Sequence, residues 1–253
     1  MECRTSEIAD GVYRISTYVP DVGPRGFTFN QFLIDADEPL LYHTGMRALF
    51  PLVSAAVDQV VPLERLRWIA FSHVEADECG AMNQFLAAAP RAQVVHGMTG
   101  ILVSLNDLAD RAPRPIGDGE TLDLGGKTLR RKSVRHFDTP HVPHNWESRV
   151  LLEESTGTLF CGDLVSQDGD GPAVTSDWLI ERAIETEDLF MQTSLAPAVP
   201  ETLRRLAGLS PSTLAIMHGS SYRGDCGALL NTLADEYEAR YPQTRLATAG
   251  SSV

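Results

Sequence analysis

Apolar and polar positions alternate through "GVYRIS" (residues 11–16) and "FTFNQFLID" (27–35), the two-residue period of strands with one buried face. "PLLYHTG" (39–45) predicts a third strand ending at a glycine turn, so the chain opens as a meander. The period then changes. Pro51 starts a helix in which Leu52, Val53, Ala56, Val57 and Val60 form one apolar stripe, and "LRWIAFS" (66–72) returns as a buried strand. Ala81, Met82, Phe85, Leu86 and Ala89 repeat the helical spacing up to Pro90, and "AQVVHG" (92–97) supplies another short strand.

The second half echoes this order. Turns at "GDGE", "LGGK" and "ESTG" separate the strand-like runs "TLDL", "KTLRRKSVRHF", "SRVLLEE" and "GTLFCG" between residues 114 and 162. A polar loop, "SQDGDGPAVTSD", reads as a solvated turn and lacks the later glutamate of a calcium loop. Helical segments are predicted from Glu187 to Leu206, then a strand in "STLAIMHG", then a final helix lined by Leu229, Leu230, Leu233 and Tyr237. One domain over residues 1–245 is expected, followed by a flexible tail at 246–253.

Composition narrows the class. A chain of 253 residues with 43% hydrophobic content can bury a substantial core. Its net charge of −13 argues against nucleic acid or an anionic membrane as the main partner. No segment has the apolar length of a signal core or a membrane span, which predicts a cytoplasmic protein. Cys3, Cys79, Cys161 and Cys226 show no CxxC spacing and read as reduced thiols, Cys161 in the core.

The chemistry concentrates at strand ends. "FSHVEADECGAMNQF" (71–85) sets His73, Glu75, Asp77 and Glu78 directly after a buried strand and before a helix. Acids in the first turn of a helix are common because they complement its dipole. Their mutual repulsion calls for a nearby positive charge, since two carboxylates about 4 Å apart repel by roughly 4 kcal/mol at an effective dielectric near 20. Asp163 follows "TLFCG" and His218 follows "TLAIM", again just beyond strands, where ligands of layered α/β folds gather. Between them, "FDTPHVPHNWES" carries His141 and His144 in a loop stiffened by two prolines. Glu75, Asp77, Glu78 and Asp163 with His73, His144 and His218 make a set whose four negative charges balance two divalent cations.

The order HxExDxxG at His73, H-x3-S from His144 to Ser148, GD at Asp163 and HG at His218 resembles the metallo-β-lactamase fold. Within that superfamily it is most similar to flavodiiron proteins and their flavin-free oxygen-binding diiron relatives, across residues 6–240. The resemblance implies an α/β fold, the four-layer αβ/βα sandwich. It also implies one iron held by His73, Glu75 and His144, a second by Asp77 and His218, and Asp163 bridging. Hydrolases of the superfamily show HxHxDH, whereas Glu75 occupies the second ligand position here, which shifts preference from zinc toward iron or manganese. Glu78 stands where the flavodiiron pattern has histidine, leaving three roles open: ligand, bridge or helix cap. His144 matches the spacing to Ser148, so His141 is left to support a ligand, to line the pocket or to have no role. His43, His96 and His136 read as structural, and Trp146 and Tyr222 as aromatic packing.

The function implied is a non-haem diiron protein that binds, reduces or senses O2 or NO, with manganese or zinc as alternative metals. No FMN is expected within this chain, so turnover needs an external flavin or redox protein, and a homodimer is expected. The rival is a dinuclear metal-dependent hydrolase, and a third reading is a noncatalytic, metal-stabilised interaction protein.

Overall fold

The computed structural model describes residues 2–126, 131–194 and 196–240. Seven strands form a first sheet in chain order: β1 (Cys3–Ala9), β2 (Val12–Val19), β3 (Phe27–Ile34), β4 (Leu40–Tyr42), β5 (Trp68–Ala70), β6 (Gln93–His96) and β7 (Arg114–Pro115). β1 to β4 pair antiparallel, and β4 to β7 pair parallel through crossover segments. The second sheet contains β8 (Thr121–Asp123), β9 (Ser133–Asp138), β10 (Arg149–Glu153), β11 (Thr158–Phe160), β12 (Val174–Thr175), β13 (Thr213–Ala215) and β14 (Ser221–Tyr222). They lie side by side as β12-β14-β13-β11-β10-β9-β8.

Side-chain alternation explains the layers. On β3, Phe32 and Ile34 enter the core between the sheets, while Leu33 faces the helices Phe50–Val60 and Met82–Ala88 through Val53, Val57, Phe85 and Leu86. On β10, Leu151 enters the same inter-sheet core, whereas Val150 and Leu152 face Val199, Leu203, Leu229 and Leu233 of the helices Ala198–Ala207 and Cys226–Arg240. Each sheet is therefore apolar on both faces, and each fully buried Leu, Ile or Phe contributes about 1.5–3 kcal/mol. Helices outside and two mixed sheets inside make the αβ/βα sandwich that the motif order implied. Among the described residues, no helix is long and apolar enough to cross a membrane.

Three expectations change. β1 was not anticipated, because "CRTSEIA" buries only Ile8 fully and is held by its ladder to β2 rather than by an apolar face. The helical segment expected from Glu187 begins at Ile180 and runs to Phe190, where Met191 turns left-handed and ends it before the Ala198–Ala207 helix. The polar loop is not solvated at its start: Ser166, Gln167 and Asp168 are buried, and Arg25 Nε donates to both Asp168 oxygens at 2.9 Å. Residues 127–130 of the predicted "KTLRRKSVRHF" strand and the tail at 246–253 lie outside the described residues.

Candidate metal centre

β5 ends at Ala70, and the next residues leave the sheet toward its C-terminal edge. His73 is buried there, Glu75 is extended at φ −139°, and the short helix Ala76–Cys79 then carries Asp77 and Glu78 in its first turn. The strand-to-helix junction thus spreads four donors along one turn of chain. Glu78 does not cap this helix, because its Oε1 accepts from Ser72 Oγ at 3.3 Å instead.

The second sheet supplies the rest from matching edges. Asp163 follows β11 through Gly162, whose φ is +55°; a Cβ there would meet Ser72 Cβ at 2.7 Å, so only glycine lets these two loops approach. His218 follows β13, donates from Nδ1 to the Thr28 carbonyl at 2.8 Å and stacks on Phe27 with ring centres 4.4 Å apart. His144 lies in a loop tied by Ser148 Oγ to the Val142 carbonyl at 3.0 Å, and its Nδ1 donates to the Gln192 carbonyl at 2.9 Å. The two sheets are stitched at this edge, with Arg149 N donating to the Ser72 carbonyl at 2.9 Å and Asn30 Nδ2 to the Ile216 carbonyl at 2.8 Å.

All seven candidate residues converge. Nε2 of His73 lies 2.9 Å from Glu75 Oε2, 2.8 Å from His144 Nε2 and 3.6 Å from Asp163 Oδ2; His144 Nε2 lies 3.1 Å from Glu75 Oε2 and 3.5 Å from Asp163 Oδ2. On the other side of the same carboxylate, His218 Nε2 lies 3.2 Å from Asp163 Oδ1 and 3.3 Å from Asp77 Oδ2. Glu78 Oε2 is 3.3 Å from His73 Nε2. Asp163 therefore faces two donor groups with its two oxygens.

These residues fit a pair of cations. Metal bonds of about 2.1 Å put neighbouring donors about 3.0–3.4 Å apart in octahedral or tetrahedral geometry, close to the separations here. His144 spends its Nδ1 proton on Gln192, which turns the Nε2 lone pair of the neutral ring toward His73 Nε2. Glu78 Oε2 is buried without an aligned hydrogen-bond donor. Among the described residues, the ion pairs of the four carboxylates run only to histidines, and no Lys or Arg supplies the counter-charge.

Protonation without metal follows from the same contacts. Hydrogen bonds from His144 and His73 outweigh burial and hold the Glu75 carboxyl at about 2. Burial opposes the His218 imidazolium, but its bonds to Asp163 and Asp77 raise it to about 10. Burial likewise opposes ionisation of Asp163, yet His218, His73 and His144 hold it below the usual carboxylate range. Glu78 is pushed well up by burial and by Asp163, Asp77 and Glu75.

His141 is exposed. His43, His96 and His136 are buried. Tyr222 packs in the second core, and Trp146 is half exposed beside a cavity of about 100 Å³ lined by Asp138 and Glu147. The sequence pattern missed Gln192, which reaches the site because Met191 turns the chain back; besides holding His144, its Nε2 donates to the Asp163 carbonyl at 3.1 Å. It also missed Ser72, whose only signal was its place before His73.

Sandwich and site together define a metallo-β-lactamase-like domain of the flavodiiron type. The chain belongs to the family described as ODP family beta lactamase, which it matches over residues 27–219. It is 28% identical over 180 residues to Coenzyme F420H(2) oxidase of Methanothermobacter marburgensis, covering 66% of this chain and 43% of that protein. It is 22% identical over 234 residues to the anaerobic nitric oxide reductase flavorubredoxin of Pectobacterium carotovorum, covering 85% of this chain and 44% of that one. The fold superposes on the Flv1 flavodiiron core from Synechocystis with a TM-score of 0.81 at 20% identity, over 94% of this chain and 61% of that one. The chain spans less than half the length of these two curated relatives.

Proposed function

We propose that the chain holds two irons and binds O2 or NO, as a reductase fed by a separate donor or as a sensor. His73, Glu75 and His144 would hold one iron, Asp77 and His218 the other, with Asp163 between them and Glu78 adding a seventh donor. The observation that carries this reading is the two-sided Asp163 carboxylate, whose oxygens face separate histidine groups at 3.2 Å and at 3.5–3.6 Å. Two relatives point the same way, one being named an oxidase and one a nitric oxide reductase.

Reduced irons, when bound, supply an open coordination position and electrons for a diatomic gas. The chain's own residues prepare the place. Phe27 and Phe29 lie against His218 with ring centres 4.4 and 5.3 Å away, and Phe190 packs on Phe27 at 5.2 Å, an apolar wall that limits water. The Thr28 and Gln192 carbonyls fix two imidazoles with their Nε2 atoms turned inward. Electrons come from an external flavin or redox protein, and the chain works as a homodimer in the cytoplasm.

Anaerobic metal quantification tests the reading. Two irons per chain, with a visible absorption change when the reduced protein meets O2 or NO, are expected. Zinc with esterase or thioesterase turnover would favour the hydrolase instead, and metal with neither response would favour a structural role. A mass in solution of one chain would remove the dimer.

A further inference from the structure

Ser72 has no part in the reading above, yet its hydroxyl meets three side chains. Oγ lies 3.0 Å from His73 Nδ1, 3.2 Å from His43 Nε2 and 3.3 Å from Glu78 Oε1. All four residues are at most 1% exposed. A hydroxyl has one proton to give and two lone pairs with which to accept. As a metal ligand Glu78 would be an ionised carboxylate that only accepts, so the Ser72 proton then goes to Glu78 Oε1, and its lone pairs take the ring N–H groups of His73 and His43. The hydroxyl is then fully committed.

That commitment settles how two donors face the centre. When a metal is held, His73 with its proton on Nδ1 would present a bare Nε2 on the side where Glu75, His144 and Asp163 lie. With Oε1 occupied by Ser72, Glu78 is left with Oε2, which is buried, has no hydrogen-bond partner and lies 3.3 Å from His73 Nε2. His43 completes the arrangement from below. It sits in the left-handed backbone region at φ 66°, is wholly buried, and has Tyr42 stacked on it with ring centres 4.2 Å apart, so its Nε2 has little freedom to leave Ser72.

We infer that His43 and Ser72 are positioning residues for Glu78: they hold one of its carboxylate oxygens so that the other is presented to the metal centre, where Glu78 stands beside His73 and has a ligand atom within 4.8 Å of one from the second-iron donor Asp77. The inference rests on the diiron reading and adds a route by which a carboxylate serves in the place where the flavodiiron pattern has histidine.

The test titrates the metal-free protein anaerobically with Fe2+ and, for its visible bands, with Co2+. Wild type is expected to take two ions. Ser72→Ala should weaken the second equivalent by about 10–100-fold and the first by clearly less, with altered Co2+ bands. Ser72→Thr, which keeps the hydroxyl, should restore both. Glu78→Ala should reproduce the loss, and the double variant should lose no more than either single one. His43→Asn tolerates the left-handed backbone while withdrawing the ring donor, and should weaken the same equivalent; it carries the test if Ser72→Ala does not fold by circular dichroism. Unchanged binding in Ser72→Ala, equal weakening of both equivalents, or additive losses in the double variant would overturn the inference. Wild type that takes fewer than two ions would overturn the diiron reading itself.

Discussion

His144 gives its Nδ1 proton to the main-chain oxygen of Gln192 at 2.9 Å, and the Gln192 side chain reaches on to the Asp163 carbonyl at 3.1 Å. One residue thus braces two candidate ligands drawn from different loops. Gln192→Ala removes only the second bond and should lower metal affinity by about 10-fold, the low end of the range for such supporting contacts. Competition with a coloured chelator measures it, and an unchanged constant would show the brace to be idle.

Asp163→Ala should cost both ions, since both donor groups share that carboxylate. Metal counted after desalting is expected to fall well below one per chain. A coupled pair retained in this variant would defeat the bridge assignment.

Glu75→His restores the imidazole found in the hydrolytic pattern and should move preference from iron toward zinc. Loading from an equimolar mixture, followed by elemental analysis, reads the ratio. Unchanged iron loading would remove Glu75 from its assigned role.

Gly162→Ala should destabilise the fold by roughly 2–4 kcal/mol, combining a left-handed backbone with a close contact. The new methyl would lie 2.7 Å from Ser72 Cβ. Urea unfolding of the metal-free protein gives the figure, and a loss under about 0.5 kcal/mol would mean the two loops separate freely.

Acid and base act oppositely on the metal-free protein. Glu75 drops from 4.5 to about 2 on folding, so its stabilisation is whole above about pH 4.5 and is lost as pH falls toward 2. His218 rises from 6.5 to about 10, so its share is whole below about pH 6.5 and fades as pH climbs toward 10. The raised Glu78 has the same sign as His218, its share fading above its ordinary value of 4.5. The urea midpoint should therefore fall between about pH 6.5 and 9 without metal, and added metal should raise it more at the alkaline end, where fewer protons must leave. A flat metal-free midpoint over that range would contradict these contacts.

Much of this site was legible because its donors follow strands. His73, Asp163 and His218 each stand just past an apolar run, and the edge where β5, β11 and β13 finish is where they meet. Residues that act through the main chain left no such trace. Gln192 matters through a carbonyl, and its placement depends on the left-handed turn at Met191, a conformation that methionine does not advertise. β1 escaped for a related reason, since ladder bonding to β2 rather than an apolar stripe holds it. The Ile180 start was obscured by "IERAIETEDLF", whose acids dilute the stripe although Ile180 and Ala183 are buried.

The donor set is divided between the halves of the sandwich, with His73, Glu75, Asp77 and Glu78 from the first sheet's edge and His144, Asp163 and His218 from the second. A ribosome delivers the first group long before the last. Under the diiron reading, a nascent chain would expose only an incomplete claw until residue 218 had emerged and docked, so iron would be captured only after both halves had found each other.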